Sequence, residues 1–108
     1  EGRACVSAAG IDCASEEEVK NRRKGVLESG EIPGVERAGS SSRQSLLRGT
    51  GDIEADFLNG EIVQLGRLHG IATPVNSVLQ SLAVGLAQRK APPGSVSIEE
   101  VTRLIQEQ

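Results

Sequence analysis

Methionine, tryptophan and tyrosine are absent from this 108-residue sequence, and Phe57 is its single aromatic residue. One aromatic side chain gives no platform for stacking nucleic-acid bases and no cage for a quaternary ammonium. An excess of positive charge is missing too. Twelve basic residues are interspersed with 15 acidic ones, for a formal net charge of −3. No basic stripe tracks a phosphate backbone, so a nucleic-acid partner is not expected. No apolar run approaches the roughly 20 residues that span a bilayer. The N-terminus lacks the apolar stretch of a secretory signal. Neither a membrane partner nor a secreted location is therefore expected.

Histidine and cysteine are scarce. The chain has one His and two Cys, and no group has metal-ligand spacing, so no metal site is expected. Cys5 and Cys13 are near enough in sequence for one disulfide. Two reduced thiols in a cytoplasmic protein are the expected state. Met is absent even from position 1, and the chain opens on Glu-Gly-Arg-Ala-Cys-Val with no cap or lead-in. The expectation is a piece of a longer protein, or a processed or trimmed form.

Aliphatic residues are what the chain does have. Val, Ile, Leu and Phe make about a quarter of it, above the range where disorder becomes the default. Its length suits one domain over residues 1–108 and is too short for a nucleotide-binding domain plus a substrate domain. No run has a strand period, and the reading is all-α, about five helices in a small bundle. Residues 3–9 read as the tail of a helix stopped by Gly10. Ser15 with Glu18 forms a capping box, predicting a helix over 16–29 with Gly30 as its stop. Residues 31–41, with Pro33, Gly34 and Gly39, read as a loop. A serine from the run Ser40-Ser41-Ser42 caps a short helix over 43–48 that Gly49 stops.

Asp52 is the expected cap of a helix over 53–69. Ile53, Phe57, Ile62, Leu65 and Leu68 lie on its inward face, with Leu58 beside them. Gly70 ends it. Thr73 and Pro74 restart the chain as N-cap and first helical residue, and Val75, Val78, Leu79, Leu82 and Leu86 follow at helical spacing through residue 89. The two long helices are joined by about four residues and should form an antiparallel hairpin. After Pro92-Pro93-Gly94, a second capping box of Ser97 and Glu100 opens a last helix. Ile98, Val101, Leu104 and Ile105 are its inward residues.

Few residues carry chemistry. There is no Gly-x-Gly-x-x-Gly and no phosphate-binding loop. His69 falls at a helix C-terminus, where the dipole favours a cation. Ser42 falls at a helix N-terminus, where backbone N–H groups favour an anion such as the carboxylate of a small acid. The alternative is an ordinary capping serine. Asp52, Glu54 and Asp56 place three acids in five residues. Glu54 and Asp56 should point about 200° apart, so one can face a cleft while the other stays in solvent. An inward Glu54 can accept from a ribose hydroxyl or hold a lysine ammonium; the alternative is a carboxylate stabilised by the helix dipole. Asn59 is a further polar candidate, and Asn76 is expected to tether the hairpin turn.

The stretch Ser42-Arg43-Gln44-Ser45-Leu46, Gly49, Glu54-Ala55-Asp56-Phe57-Leu58-Asn59-Gly60, Leu65-Gly66-Arg67 and His69-Gly70-Ile71-Ala72-Thr73-Pro74-Val75-Asn76 resembles the C-terminal domain of ketopantoate reductases (2-dehydropantoate 2-reductases). The resemblance implies a fragment of an NADPH-dependent oxidoreductase of pantothenate biosynthesis. Its N-terminal Rossmann domain lies outside the chain, and its 2-oxo acid substrate sits in the cleft between the domains. By position, Ser42 matches the family serine that binds substrate. Glu54 matches the glutamate near the catalytic lysine and the cofactor ribose. The lysine and the family's asparagines lie on earlier helices and have no match here, so the chain carries no catalytic residue. Ser45 stands where the family often has Asp, which points to a divergent branch. The resemblance thus implies NADPH in the intact parent, no cofactor on this chain alone, no turnover in isolation, and a homodimer. The competing expectation is a freestanding helical module, without catalysis, that self-associates through apolar faces of 53–69 and 74–89 left uncovered.

Overall fold

The computed structural model describes residues 1–26, 30, 33–34 and 39–108. These form six helices and, among the described residues, no strand: α1 (Gly2–Ala8), α2 (Glu16–Arg23), α3 (Ser41–Arg48), α4 (Ala55–His69), α5 (Pro74–Gln88) and α6 (Ile98–Gln106). The all-α expectation holds, with one helix more than the rounded count.

Local chemistry sets most of the boundaries. The Ser15 hydroxyl accepts from Glu18 N, and the Glu18 carboxylate accepts from Ser15 N, which completes the capping box of α2. Ser40 caps α3 by accepting from Arg43 N, so α3 begins two residues ahead of the expected start. Gly49 and Gly70 close α3 and α4 in the left-handed conformation, where a side chain is costly. Thr73 and Pro74 stand at N-cap and first helical position of α5, as expected. The second capping box is half made. Ser97 accepts from Glu100 N, but the Glu100 carboxylate turns away to Arg103.

Two expected helices are shorter in the structure. α2 ends at Arg23, with Lys24 extended and Gly25 at φ 76°. The expected continuation over 27–29 lies outside the described residues, as does most of the loop over 31–41. None of the residues of α2 is buried, so no packing holds a further turn against Gly25. α4 begins at Ala55 rather than at 53, and its N-cap is Glu54, without a side-chain cap. Asp52 is therefore not the cap; its backbone N–H donates to the Thr50 hydroxyl in the preceding turn.

The long pair is the centre of the fold. α4 packs most extensively on α5, and α1 covers another side of α4. Contacts between Gly66 and Thr73, Asn59 and Asn76, and Asp56 and Gln80 run in opposite senses along the two helices, the expected antiparallel hairpin. The buried apolar residues among those described are Cys5, Ala55, Val63, Val78 and Ala87, of which Cys5 is fully buried.

That core corrects the expected inward face of α4. Ile53, Ile62 and Leu65 are half-buried as expected, but Phe57 is 77% and Leu68 71% exposed, and Leu58 is exposed as well. Small residues explain the rotation. Gly60 and Gly66 let α5 and the turn before it approach α4 closely, and Gly2 brings α1 against Ile62, which turns the Phe57 side of the helix outward. Ile98 at the start of α6 is likewise exposed rather than inward. On α5, Val78 is buried and Leu82 and Leu86 are half-buried, while Val75 and Leu79 stay partly open. Cys5 is buried and Cys13 exposed, both as free thiols. The radius of gyration, 16.5 Å, exceeds the about 13 Å of a compact chain near this length. An uncovered α4 face accords with that open shape.

Candidate functional site

Polar side chains collect where α4 faces α5. Asn59 Nδ2 donates to Asn76 Oδ1 across the hairpin at 3.0 Å. Asn76 therefore ties the two helices together, as its place in the first turn of α5 suggested. Its own amide and its Nδ2 also donate to one oxygen of Glu1, while Val75 N donates to the other at 2.8 Å. The α5 N-cap Thr73 makes no side-chain cap bond. Glu1, at the far end of the sequence, supplies that cap instead and clamps the start of α1 to the start of α5. Burial opposes the charge on Glu1, but the Asn76 and Val75 amides and the Asn76 side chain outweigh it and hold the carboxyl below its ordinary pKa.

This clamp has a pH signature. A depressed carboxylate pKa gives stability that is fully present above the ordinary carboxylate range and lost as pH falls through the lowered value. Glu1→Gln is expected to cost about 0.5–1 kcal/mol at neutral pH, the low end for a helix cap because the carboxylate is exposed. Unfolding midpoints of the two proteins should converge at acid pH. Parallel curves through the acid range would rule the clamp out as a source of stability.

A second polar group lies further along the hairpin. Gln80 Nε2 donates to Asp56 Oδ1 at 2.7 Å. Gly60 makes room for that crossing: a Cβ there would stand 2.8 Å from Gln80 Nε2. Asp56, Gly60, Glu61, Gln64, Arg67 and Gln80 border an open cavity of about 360 Å³ floored by Val63. Gln80 and Arg67 were not singled out from the sequence. A glycine one helical turn after Asp56, facing a long amide on the partner helix, was the available signal.

Ser42 and Glu54 stand apart from this cavity. Ser42 is half-buried in the first turn of α3, a helix that packs on α5. Glu54 is exposed at the N-cap of α4, where its carbonyl accepts from Phe57 N and Leu58 N. Among the described residues no hydrogen bond joins the two or engages either side chain. The inward Glu54 set out as one alternative is thus not the arrangement in this structure: its carboxylate is open to solvent. The partner acid Asp56 is the one that faces a cavity. His69 ends α4, exposed, at the negative pole of the helix. Among the described residues no cluster of His, Cys, Asp or Glu can hold a metal ion, and no helix is long and apolar enough to cross a membrane.

Set against known proteins, residues 1–87 match the family model described as the ketopantoate reductase PanE/ApbA C terminal. No curated protein and no solved structure matches the chain.

Proposed function

The chain belongs to the ketopantoate reductase C-terminal domain family, and on that premise we propose that it is the substrate-side helical part of an NADPH-dependent reductase of 2-oxo acids. Ketopantoate, reduced to pantoate on the route to pantothenate, is the substrate this family suggests. The single observation that carries the reading is the match over residues 1–87, which takes in Ser42, Glu54 and the whole α4–α5 hairpin.

The exposed Glu54 carboxylate suits a ribose hydroxyl or a lysine ammonium. The chain has no Gly-rich loop for a pyrophosphate and, among the described residues, no strand to carry one. The residues present therefore fit one edge of NADPH and leave its phosphates to a Rossmann domain. When bound there, the cofactor supplies the hydride for the keto carbon. Ser42 donates its hydroxyl to the substrate carboxylate, aided by the N–H groups of the first turn of α3. Glu54 accepts from the ribose and fixes the ammonium of a lysine outside this chain, which delivers the proton to the nascent alkoxide. Nicotinamide and proton donor both lie beyond residues 1–108, so this chain alone binds no cofactor and turns nothing over. A cytoplasmic location belongs to the same proposal and suits the two free thiols.

Ser42→Ala in the intact reductase is expected to raise KM for ketopantoate about tenfold, the worth of one hydrogen bond to a charged group, with kcat changed less. Steady-state kinetics check this, and an unaltered KM removes Ser42 from the substrate site.

A specific observation supports a second reading as a self-associating module. Phe57 and Leu58 at the start of α4 and Leu68 at its end are exposed apolar side chains without cover from described residues, a feature of surfaces that meet other protein. On the first reading these residues receive the rest of the reductase, and a homodimer forms elsewhere. On the second, they are themselves the dimer contact.

A further inference from the structure

α6 lies against α5 beyond the region shared with the family, and three features set it apart. Its own structure is locally secured. Ser97 caps its start, and Arg103 bridges Glu100 and Glu107 along its outer side. Its seat is part apolar, part polar, and incompletely filled. Val78, Leu82 and Leu104 border a cavity of about 310 Å³ between the helices together with Ser77, Ser81, Arg89 and Gln108, and α6 contributes no buried residue.

Its hinge is strained. Where α5 ends, Lys90 N donates to the Ala87 carbonyl and Ala91 N to the Leu86 carbonyl. That geometry demands a left-handed residue, usually glycine. Lys90 adopts it at φ 53°, the single non-glycine with positive φ among the described residues. Pro92 and Pro93 follow at once and leave the hinge little freedom to relax in place. Strain at one hinge residue of the connection over 89–97, beside a self-contained helix, is a physical setting for exchange of that helix between identical chains.

We propose that the Val78–Ser81–Leu82 face of α5 is an interaction surface for a second copy of this chain, which inserts its own α6 there while donating its seat in return. The partner's chemistry is set by the structure itself: the face already fits Val101, Leu104 and Ile105, the half-buried residues of α6. Exchange leaves the contacts between α5 and α6 unchanged. The balance then rests on release of the Lys90 conformation in both hinges against loss of the hydrogen bonds from Lys90 N and Ala91 N, on any new burial of Ile98, and on the entropy of association. The inference is independent of the reductase reading, since it concerns α5 and α6 alone.

The test uses the full chain carrying Cys13→Ser, which leaves Cys5 buried, together with Ser81→Cys and Leu104→Cys on the two sides of the same cavity. Sedimentation equilibrium should show a dimer whose fraction rises with protein concentration. Mild oxidation of that dimer should give a covalently linked pair on a non-reducing gel. Lys90→Gly, without added cysteines, relieves the closed hinge and should raise the dimer dissociation constant about tenfold, because each dimer opens two hinges. Three results overturn the proposal: a monomer at every concentration, a dimer whose new disulfides all form within one chain, or a dissociation constant indifferent to Lys90→Gly. The last holds even if the cysteine variant does not fold.

Discussion

Gly66→Ala is expected to destabilise the fold by about 3 kcal/mol, a large fraction of what holds a domain of this size together. Gly66 is buried in α4 under the turn that leads into α5. A Cβ there would stand 2.6 Å from the Ile71 carbonyl oxygen and 2.7 Å from Thr73 Cγ2. The carbonyl cannot retreat easily. Ile71 N donates to the Gly66 carbonyl at 2.9 Å, and Gly70 is held left-handed at φ 68° between them. Better helix propensity returns about 1 kcal/mol to alanine, and the clash exceeds it. Urea unfolding should show a lower midpoint with an unchanged slope. Gly85→Ala serves as the contrast. Its Cβ would meet the tip of the Arg89 side chain at 3.1 Å, which can swing aside, so that variant should be neutral or slightly more stable. Equal midpoints for the two would mean that the close hairpin does not depend on Gly66.

Glu54→Gln in the intact reductase carries the second large effect. The amide keeps the size of the side chain and one acceptor oxygen but loses the charge. If Glu54 fixes a lysine ammonium that protonates the alkoxide, kcat should fall about a hundredfold, at the lower end for general-acid contributions, with a smaller change in KM. Asp56→Asn is the matched control two residues on. Asp56 spends its carboxylate on Gln80, so its loss should touch the stability of the hairpin and leave kcat near the parent value. If the two variants behave alike, the acids act through the fold, and Glu54 has no separate part in the chemistry.

Most caps and stops were legible because they are local, although Asp52 does not cap α4 and α2 ends well before Gly30. Ser15 with Glu18, Gly10, Gly49, Gly70 and Thr73-Pro74 each act through a few backbone bonds, and all five took the expected place. The face of α4 was not legible. Apolar spacing pointed Phe57 and Leu68 inward, but the closest approach of neighbouring elements was decided by Gly2, Gly60 and Gly66. An amphipathic pattern shows that a face is apolar, not whether a partner within the same chain covers it.

The polar chemistry divided in the same way. Asn76 was legible as a tether from its place in the first turn of α5, but its partner Asn59, midway along α4, was not. The clamp from Glu1 to Val75 and Asn76 joins residues 74 and 75 positions apart, and nothing in local spacing announces it. Ser42 and Glu54 were singled out by their helix-terminal positions and by family resemblance. Both are at helix N-termini, with side chains unengaged among the described residues. The roles proposed for them toward substrate and cofactor call on groups beyond residues 1–108, which is why neither helix period nor burial singles them out.

The central claim, that this helical chain serves a ketopantoate reductase, is tested most directly by NADPH oxidation with ketopantoate in two preparations. One is the purified 108-residue chain. The other is a working ketopantoate reductase in which residues 1–87 replace the matching segment, leaving that enzyme's Rossmann domain and earlier helices in place. The account predicts no turnover by the chain alone, and turnover by the graft that Glu54→Gln lowers about a hundredfold. A graft that folds and binds NADPH yet does not reduce ketopantoate, or a chain that oxidises NADPH by itself, would contradict it.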